Sequence, residues 1–249
     1  MRLFLHELAN QQRLFWRSRE LAFFTFMLPL ILYVMLGSVN RDERIEGARG
    51  SEYLLAGMIG YGAAAIGFGA LAMMLVYRRE DGTLKRLRAT PLPAATYIAA
   101  LLASILVSFA ITTLILFGIG FALFDVGAPD RIGSVLVLIV LGAGAFAALG
   151  LAASALVKSD NAAVAVLNGL YLPMTFLSGS FFSPDAFPEF LQRVADVLPL
   201  TYYIELVRLS MLEGEEVWTN PGALAVVAAW GAAGAAVALR RFRWVPLSR

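Results

Sequence analysis

The residues best equipped for chemistry gather in one interval, Arg78 to Tyr97, which reads RREDGTLKRLRATPLPAATY and is the longest charged interval between two long apolar runs. The chemistry it offers is electrostatic and mechanical docking. Gly82 and Thr83 make a helix entry with Thr83 as the side-chain cap, and the ring of Pro91 disfavours helix at Thr90. A short helix is therefore predicted over Leu84–Ala89. Leu84 and Leu87 are three apart and share one face, while Lys85, Arg86 and Arg88 spread around the rest. So short a helix does not hold by itself in water, because nucleation costs more than a few hydrogen bonds return. It must pack against a membrane surface or a partner protein.

A second charged pair stands in the segment Ser183 to Gly222. Phe187, Phe190, Leu191, Val194, Val197 and Leu198 follow amphipathic-helix spacing, and Pro199 interrupts them. A second helix is predicted from Thr201 to about Leu212, with Glu205 and Arg208 three apart and able to form an ion pair. Neither half is long or apolar enough to span, so a helical hairpin dipping into the outer leaflet is expected. There an unpaired charge would be costly, so Glu205 and Arg208 need each other.

The elements that must position these groups are apolar. The 249-residue chain is 59% hydrophobic and 15% charged, with mean hydropathy +0.74, against roughly one quarter charged in a soluble domain. It reads as an all-α integral membrane protein with six spans, over about 21–38, 53–77, 97–124, 132–156, 162–182 and 223–239. A helix needs about 20 residues to cross the hydrocarbon, which makes the first and last runs the marginal ones. Every Asp, Glu, Lys, Arg and His lies outside the six runs. Of the 20 Lys and Arg, 14 fall on the side that carries both termini and the 78–96 loop, which puts both ends in the cytoplasm. The same count explains the basic pI, so a nucleic-acid partner has little support.

Residues 1–20 place Leu3, Leu5, Leu8, Leu14 and Phe15 among Arg2, Arg13, Arg17 and Arg19, the pattern of an amphipathic helix on the inner leaflet. The second, fourth and sixth spans are rich in Gly and Ala at close spacing, which lets helices approach closely in a compact bundle. Ser104, Ser108 and Thr112 recur every four residues in the third span, and Asn168, Tyr171, Thr175 and Ser178 form about one stripe in the fifth. Two readings of such stripes stand side by side: a path for an amphipathic substrate, or hydroxyl back-bonding and interhelical glue.

What is missing narrows the function. No G-x-x-x-x-G-K-[ST] loop occurs, so the chain does not cradle and hydrolyse ATP in that way. His6, the lone histidine, lies outside the spans and reads as solvated. There is no cysteine, hence no thiolate metal site, and neither a catalytic residue nor a cofactor is assigned. Proton or ion coupling needs an ionisable group at depth, and the spans carry none.

Two segments carry a resemblance to the permeases of ABC-2 type ATP-binding-cassette transporters, which export drugs, lipids and polysaccharides. These are the E-x-G-T-[LI]-x-R-L-x-x-[TS]-P-like run at Glu80 to Pro91 and the L-P-L-T-Y-x-x-E-x-x-R-like run at Leu198 to Arg208. The resemblance covers essentially the whole chain. It implies a single transmembrane domain, non-catalytic in itself, that pairs with a second permease, the same or a different chain. It also implies two P-loop ATPase subunits that bind ATP and Mg, in the cytoplasmic membrane among its lipids. Glu80, Gly82, Thr83, Leu84, Arg86 and Leu87 would then form the coupling helix, with Leu84 and Leu87 seated in an ATPase groove and Arg86 and Glu80 fixing orientation. The N-terminal helix would lie beside it as a connecting helix. The outer hairpin over 183–222, with Pro199, Tyr202, Glu205 and Arg208, would be the exit gate, and Asn168, Tyr171 and Thr175 would line the substrate path. The implied activity is export of a hydrophobic or amphipathic molecule; an ATP-independent channel for a small neutral solute and a membrane scaffold are the competing readings.

Overall fold

The computed structural model describes residues 1–17, 19–41, 43–157, 160–242 and 244. Lys158, Arg243 and Arg249, counted above among the cytoplasmic charges, lie outside the described residues. The helices are α1 (Arg2–Arg17), α2 (Arg19–Val39), α3 (Gly50–Ala63), α4 (Leu71–Glu80), α5 (Thr83–Arg88), α6 (Ala94–Phe124), α7 (Ile132–Leu156), α8 (Asp160–Leu177), α9 (Glu189–Ala195), α10 (Pro199–Leu212) and α11 (Pro221–Arg241). A π-helical segment, Ala64–Ala70, joins α3 to α4, so that Gly50–Glu80 is one 31-residue rod.

The all-α expectation holds, with one short β-hairpin added to it. Between α2 and α3 lie strands β1 (Arg44–Ile45) and β2 (Ala48–Arg49), paired antiparallel with Ile45 opposite Ala48. Glu46 and Gly47 turn the chain at φ +51° and +83°, the left-handed pair that a two-residue hairpin requires.

Among the described residues four helices are long and apolar enough to cross a membrane: Gly50–Glu80, Ala94–Phe124, Ile132–Leu156 and Pro221–Arg241. The other two predicted spans are shorter as apolar helices, Thr25–Val39 and Ala162–Leu177. The last run, expected to be marginal, is thus a full 21 residues, because Pro221 opens the helix and Asn220 caps it through the Ala223 N–H. The fifth, expected to reach residue 182, stops at Leu177. Gly179 takes φ +82° immediately afterwards and turns the chain out of the helix.

The rod Gly50–Glu80 and α7 form the centre of the bundle. Gly67 and Gly150 bring them together: a Cβ built on Gly150 would stand 2.5 Å from the Gly67 carbonyl oxygen, so only hydrogen fits. On its other side α7 receives α11, where Gly234 faces the backbone of Ala148 and Gly231 faces Ala145. Helix α10 packs against α3, α7 and α11, with Tyr203 fully buried and its hydroxyl donating to the Leu138 carbonyl at 3.0 Å.

Helix α1 packs on α6 with an unexpected face. Its buried residues are Glu7 and Gln11, while Leu3, Leu5, Leu14 and Trp16 are exposed. The bundle surface it meets is mostly apolar but offers polar partners at two places. Gln12 donates to the hydroxyl and carbonyl of Ser104, both at 3.0 Å, and Gln11 accepts from Arg78 at 2.8 Å. The apolar residues are left facing outward, as an interfacial helix in lipid requires.

Candidate functional site

At one end of the bundle the 78–97 interval is fastened at three points. Arg78 donates to Gln11 of α1 and, at 2.9 Å, to the Tyr97 hydroxyl at the start of α6. Arg79 is 3% exposed and turns the other way. Its guanidinium donates to the Ser154 and Val157 carbonyls at 2.8 and 2.6 Å and pairs with Glu80 at 2.9 Å. Ser154 lies in the last turn of α7 and Val157 is the residue that ends it; the final C=O groups of a helix lack intrahelical partners, so Arg79 caps one central helix from the end of the other. The third point is Leu84, fully buried in the core.

Helix α5 forms as predicted but starts one residue earlier and is capped differently. Gly82 occupies the cap position at φ +76°, where it has no side chain to offer, and Asp81 Oδ1 accepts the Thr83 N–H at 2.8 Å. The Thr83 hydroxyl, expected to cap the helix, accepts from Arg86 instead, at 3.1 Å. The six residues expected to act together divide. Glu80 pairs with buried Arg79 and Leu84 belongs to the chain's own core, whereas Lys85, Arg86 and Arg88 are exposed and Leu87 is half-buried. What α5 presents outward is thus a basic surface with Leu87 at its edge.

At the opposite end, Arg208 and Glu205 do not pair. The Glu205 carboxylate is exposed and accepts from the Asn220 side chain at 2.7 Å. Arg208 lies over the Tyr53 ring at 3.6 Å, donates to the Gly179 carbonyl at 2.7 Å, and meets the Glu46 carboxylate at 3.8 Å. Glu46 also accepts from the Tyr53 hydroxyl at 3.1 Å and is hydrogen-bonded to Ser183. Burial lowers the Arg208 pKa, and Tyr53, Glu46 and, from further off, the Glu205 charge oppose that shift. Pro199 is the buried first residue of α10, and Tyr202 closes the α9–α10 corner by donating to the Asp196 carbonyl at 2.7 Å.

The predicted polar stripe of α8 also divides. Asn168 is exposed, Thr175 is buried and back-bonds to the Leu172 carbonyl at 2.9 Å, and Tyr171 is buried with its ring 5.9 Å from that of Tyr61. In α6, Ser104 is taken up by Gln12, and Thr112 back-bonds to Ser108 at 3.0 Å, the gluing role of such hydroxyls. Sequence reasoning missed Arg79, Glu46 and Tyr53. Arg79 was hidden in a run that topology alone explained; the Glu46–Gly47 pair was a readable turn signal.

A helical bundle with membrane-length rods, a basic helix keyed into one end and a packed helical hairpin at the other defines a multi-pass membrane protein. The ABC-2 type transporter family model matches residues 2–212, and the chain belongs to that family. It is 30% identical over 192 residues to nodulation protein J of Neorhizobium galegae, covering 76% of this chain and 70% of that protein. A stretch of 68 residues is 40% identical to nodulation protein J of Rhizobium leguminosarum bv. viciae, covering 27% of this chain and 26% of that protein. In Sinorhizobium fredii the protein of that name is 34% identical over 76 residues, 30% of this chain and 29% of that protein.

Proposed function

We propose that this chain is the permease subunit of an ATP-driven exporter in the cytoplasmic membrane, working with a second permease and two P-loop ATPase subunits that bind ATP and Mg. The observation that carries the reading is the mechanical connection at α5. Leu84 fixes the helix to the bundle, Arg78 and Arg79 tie its root to α1, α6 and α7, and the basic side stays available. Displacement of α5 by a partner would therefore move several helices together. In this reading α2 and α8 complete six spans of a single transmembrane domain, both termini are cytoplasmic, and α1 is the connecting helix.

The coupling residues divide by role. Leu84 and Gly82 hold α5 in place, the Glu80–Arg79 pair anchors its root, Thr83 orients Arg86, and Arg86 and Leu87 meet the ATPase. The outer gate comprises α9 and α10 with Pro199, Tyr202, Glu205 and Arg208. Tyr171 and Thr175, with Asn168 on the open face of α8, border the substrate path beside the rod Gly50–Glu80. Aromatic Tyr61, Tyr171 and Phe181 cluster there, a lining that suits a hydrophobic or amphipathic cargo such as a drug, lipid or glycan-type molecule.

The test is to tag the chain at its C-terminus, extract it in mild detergent, and ask whether a P-loop ATPase copurifies and hydrolyses ATP. The expected result is copurification that weakens when Arg86 and Leu87 are both replaced by Ala. Recovery of this chain alone, with the ATPase demonstrably expressed, would overturn the reading and favour a solitary channel or a scaffold.

A further inference from the structure

Helices α6 and α11 both pack on α7, and near the α5 end a groove of about 630 Å3 opens between them. Small residues create it. Gly144 and Ala148 of α7 make the floor, Ala95 and Ala99 one wall, Ala235 and Ala238 the other. Its α5 end is closed by Phe242 and Trp244, and the Trp244 ring reaches across to Tyr97 of α6 at 5.9 Å. The volume is in the range of about 300–1,000 Å3 typical of ligand pockets, and among the described residues none lining it is charged.

We propose that this groove is a binding site for an anionic glycerophospholipid, its acyl chain lying on the Gly144–Ala148 floor and its headgroup meeting Arg240 and Arg241. Both arginines are exposed in the last turn of α11, between the lining residues Leu239 and Phe242 in sequence and within reach of the membrane surface at that end on their long side chains. A basic cluster at the end of an apolar inter-helix groove holds the headgroup and the chain of one lipid together. The same charges disfavour a second copy of this chain as the occupant, since a two-fold contact through this face would set Arg240 and Arg241 against themselves. The inference holds whatever the chain transports.

The experiment uses the full chain in its natural complex, in a nonionic detergent, with Trp16, Trp218 and Trp230 replaced by Phe, and subtracts the signal of a parallel complex that also carries W244F, so that the difference is Trp244 emission. Phosphatidylglycerol and phosphatidylcholine, each brominated on the acyl chains, are titrated separately. Bromophosphatidylglycerol is expected to half-quench Trp244 at a mole fraction about five- to thirty-fold lower, the preference that one to two surface arginines supply. R240Q/R241Q is expected to bring the two lipids level. A148F, which fills the floor, is expected to abolish the preference with both arginines present.

Equal quenching by the two lipids overturns the proposal, and so does an A148F chain that keeps the preference, because surface charge alone would then explain it. A Trp244 that neither lipid quenches also overturns it, by showing protein over the groove. Should the single-tryptophan chain fail to assemble, native mass spectrometry of the unsubstituted complex gives a second readout. More phosphatidylglycerol than phosphatidylcholine retained, and the excess lost in A148F, supports the site; equal retention overturns it.

Discussion

Arg208 on α10 meets Glu46 in the β1–β2 turn, 3.8 Å away, while Glu205 on the same helix bonds to Asn220. The relationship joins two segments far apart in the chain, at the end of the bundle opposite α5. It also accounts for Glu46 holding φ +51°, a left-handed conformation that is unfavourable by about 1–2 kcal/mol for a residue with a side chain. Contacts to Tyr53, Ser183 and Arg208 offset that strain, so the hairpin, the end of α8 and α10 are fastened as one unit.

The contributions inside this cluster are unequal. Arg208→Ala removes a hydrogen bond to Gly179 and the stacking on Tyr53, and is expected to destabilise by about 2–4 kcal/mol. The Glu46 side chain is 38% exposed, so Glu46→Gln, which loses only charge, is expected to change stability by about 0–1 kcal/mol. Thermal melts in detergent compare the two. Equal losses would sink the view that Arg208 is held mainly by the Gly179 carbonyl and the Tyr53 ring.

At the other end, geometry matters more than charge. The fork of Arg79 reaches Ser154, Val157 and Glu80 at once, which a lysine ammonium on a flexible stem does not reproduce. Arg79→Lys is expected to lose about 2–3 kcal/mol and Arg79→Ala about 3–5 kcal/mol, with faster proteolytic cleavage between residues 78 and 97 in both. A lysine variant with unchanged melting and cleavage would show that charge alone joins the rod to α7.

Helix α7 was fully legible, Ile132–Leu156 as predicted, because an uncharged run bounded by charged and polar residues leaves little choice of ends. Helix α5 was legible to within one residue; its cap was misassigned because Asp81 and Thr83 both suit the role and only geometry separates them. The partner of Arg208 was not legible. Helix spacing identifies neighbours on one helix, whereas Glu46 arrives through the tertiary fold. The α8 stripe fails similarly: seven residues apart, Asn168 and Thr175 share a face, yet their burial depends on what stands opposite at each level. Polar burial in α1 was hidden for the same reason, since Gln11 is met by Arg78 from across the fold and in turn donates to Glu7.

Close packing of the two central rods gives a prediction with an internal control. Gly150→Ala would drive a methyl group against the Gly67 carbonyl at 2.5 Å, backbone against backbone, and is expected to destabilise by about 1–3 kcal/mol. Gly118→Ala in α6 meets nothing within 4 Å on an exposed face, so it is expected to be neutral or stabilising by up to about 1 kcal/mol through helix preference. Parallel melts of the two variants check this. Similar losses at both positions would mean that helix preference in lipid, and not contact, sets the response.

Leu84 and Leu87 share a face of α5 but differ in burial, and this separates anchoring from docking. Leu84 is completely buried, so Leu84→Ala is expected to cost about 2–5 kcal/mol and lower the melting temperature of the isolated chain. Leu87 is only half-buried and Arg86 is exposed, so Leu87→Ala and Arg86→Ala are expected to leave melting nearly unchanged while reducing ATPase capture and transport-linked ATP hydrolysis. The comparison is made on the chain alone by melting and on the assembled complex by turnover. If Leu84→Ala leaves melting unchanged but abolishes capture, Leu84 belongs to the docking surface. If Leu87→Ala and Arg86→Ala leave capture intact, α5 is a structural plug in the bundle and the coupling role falls.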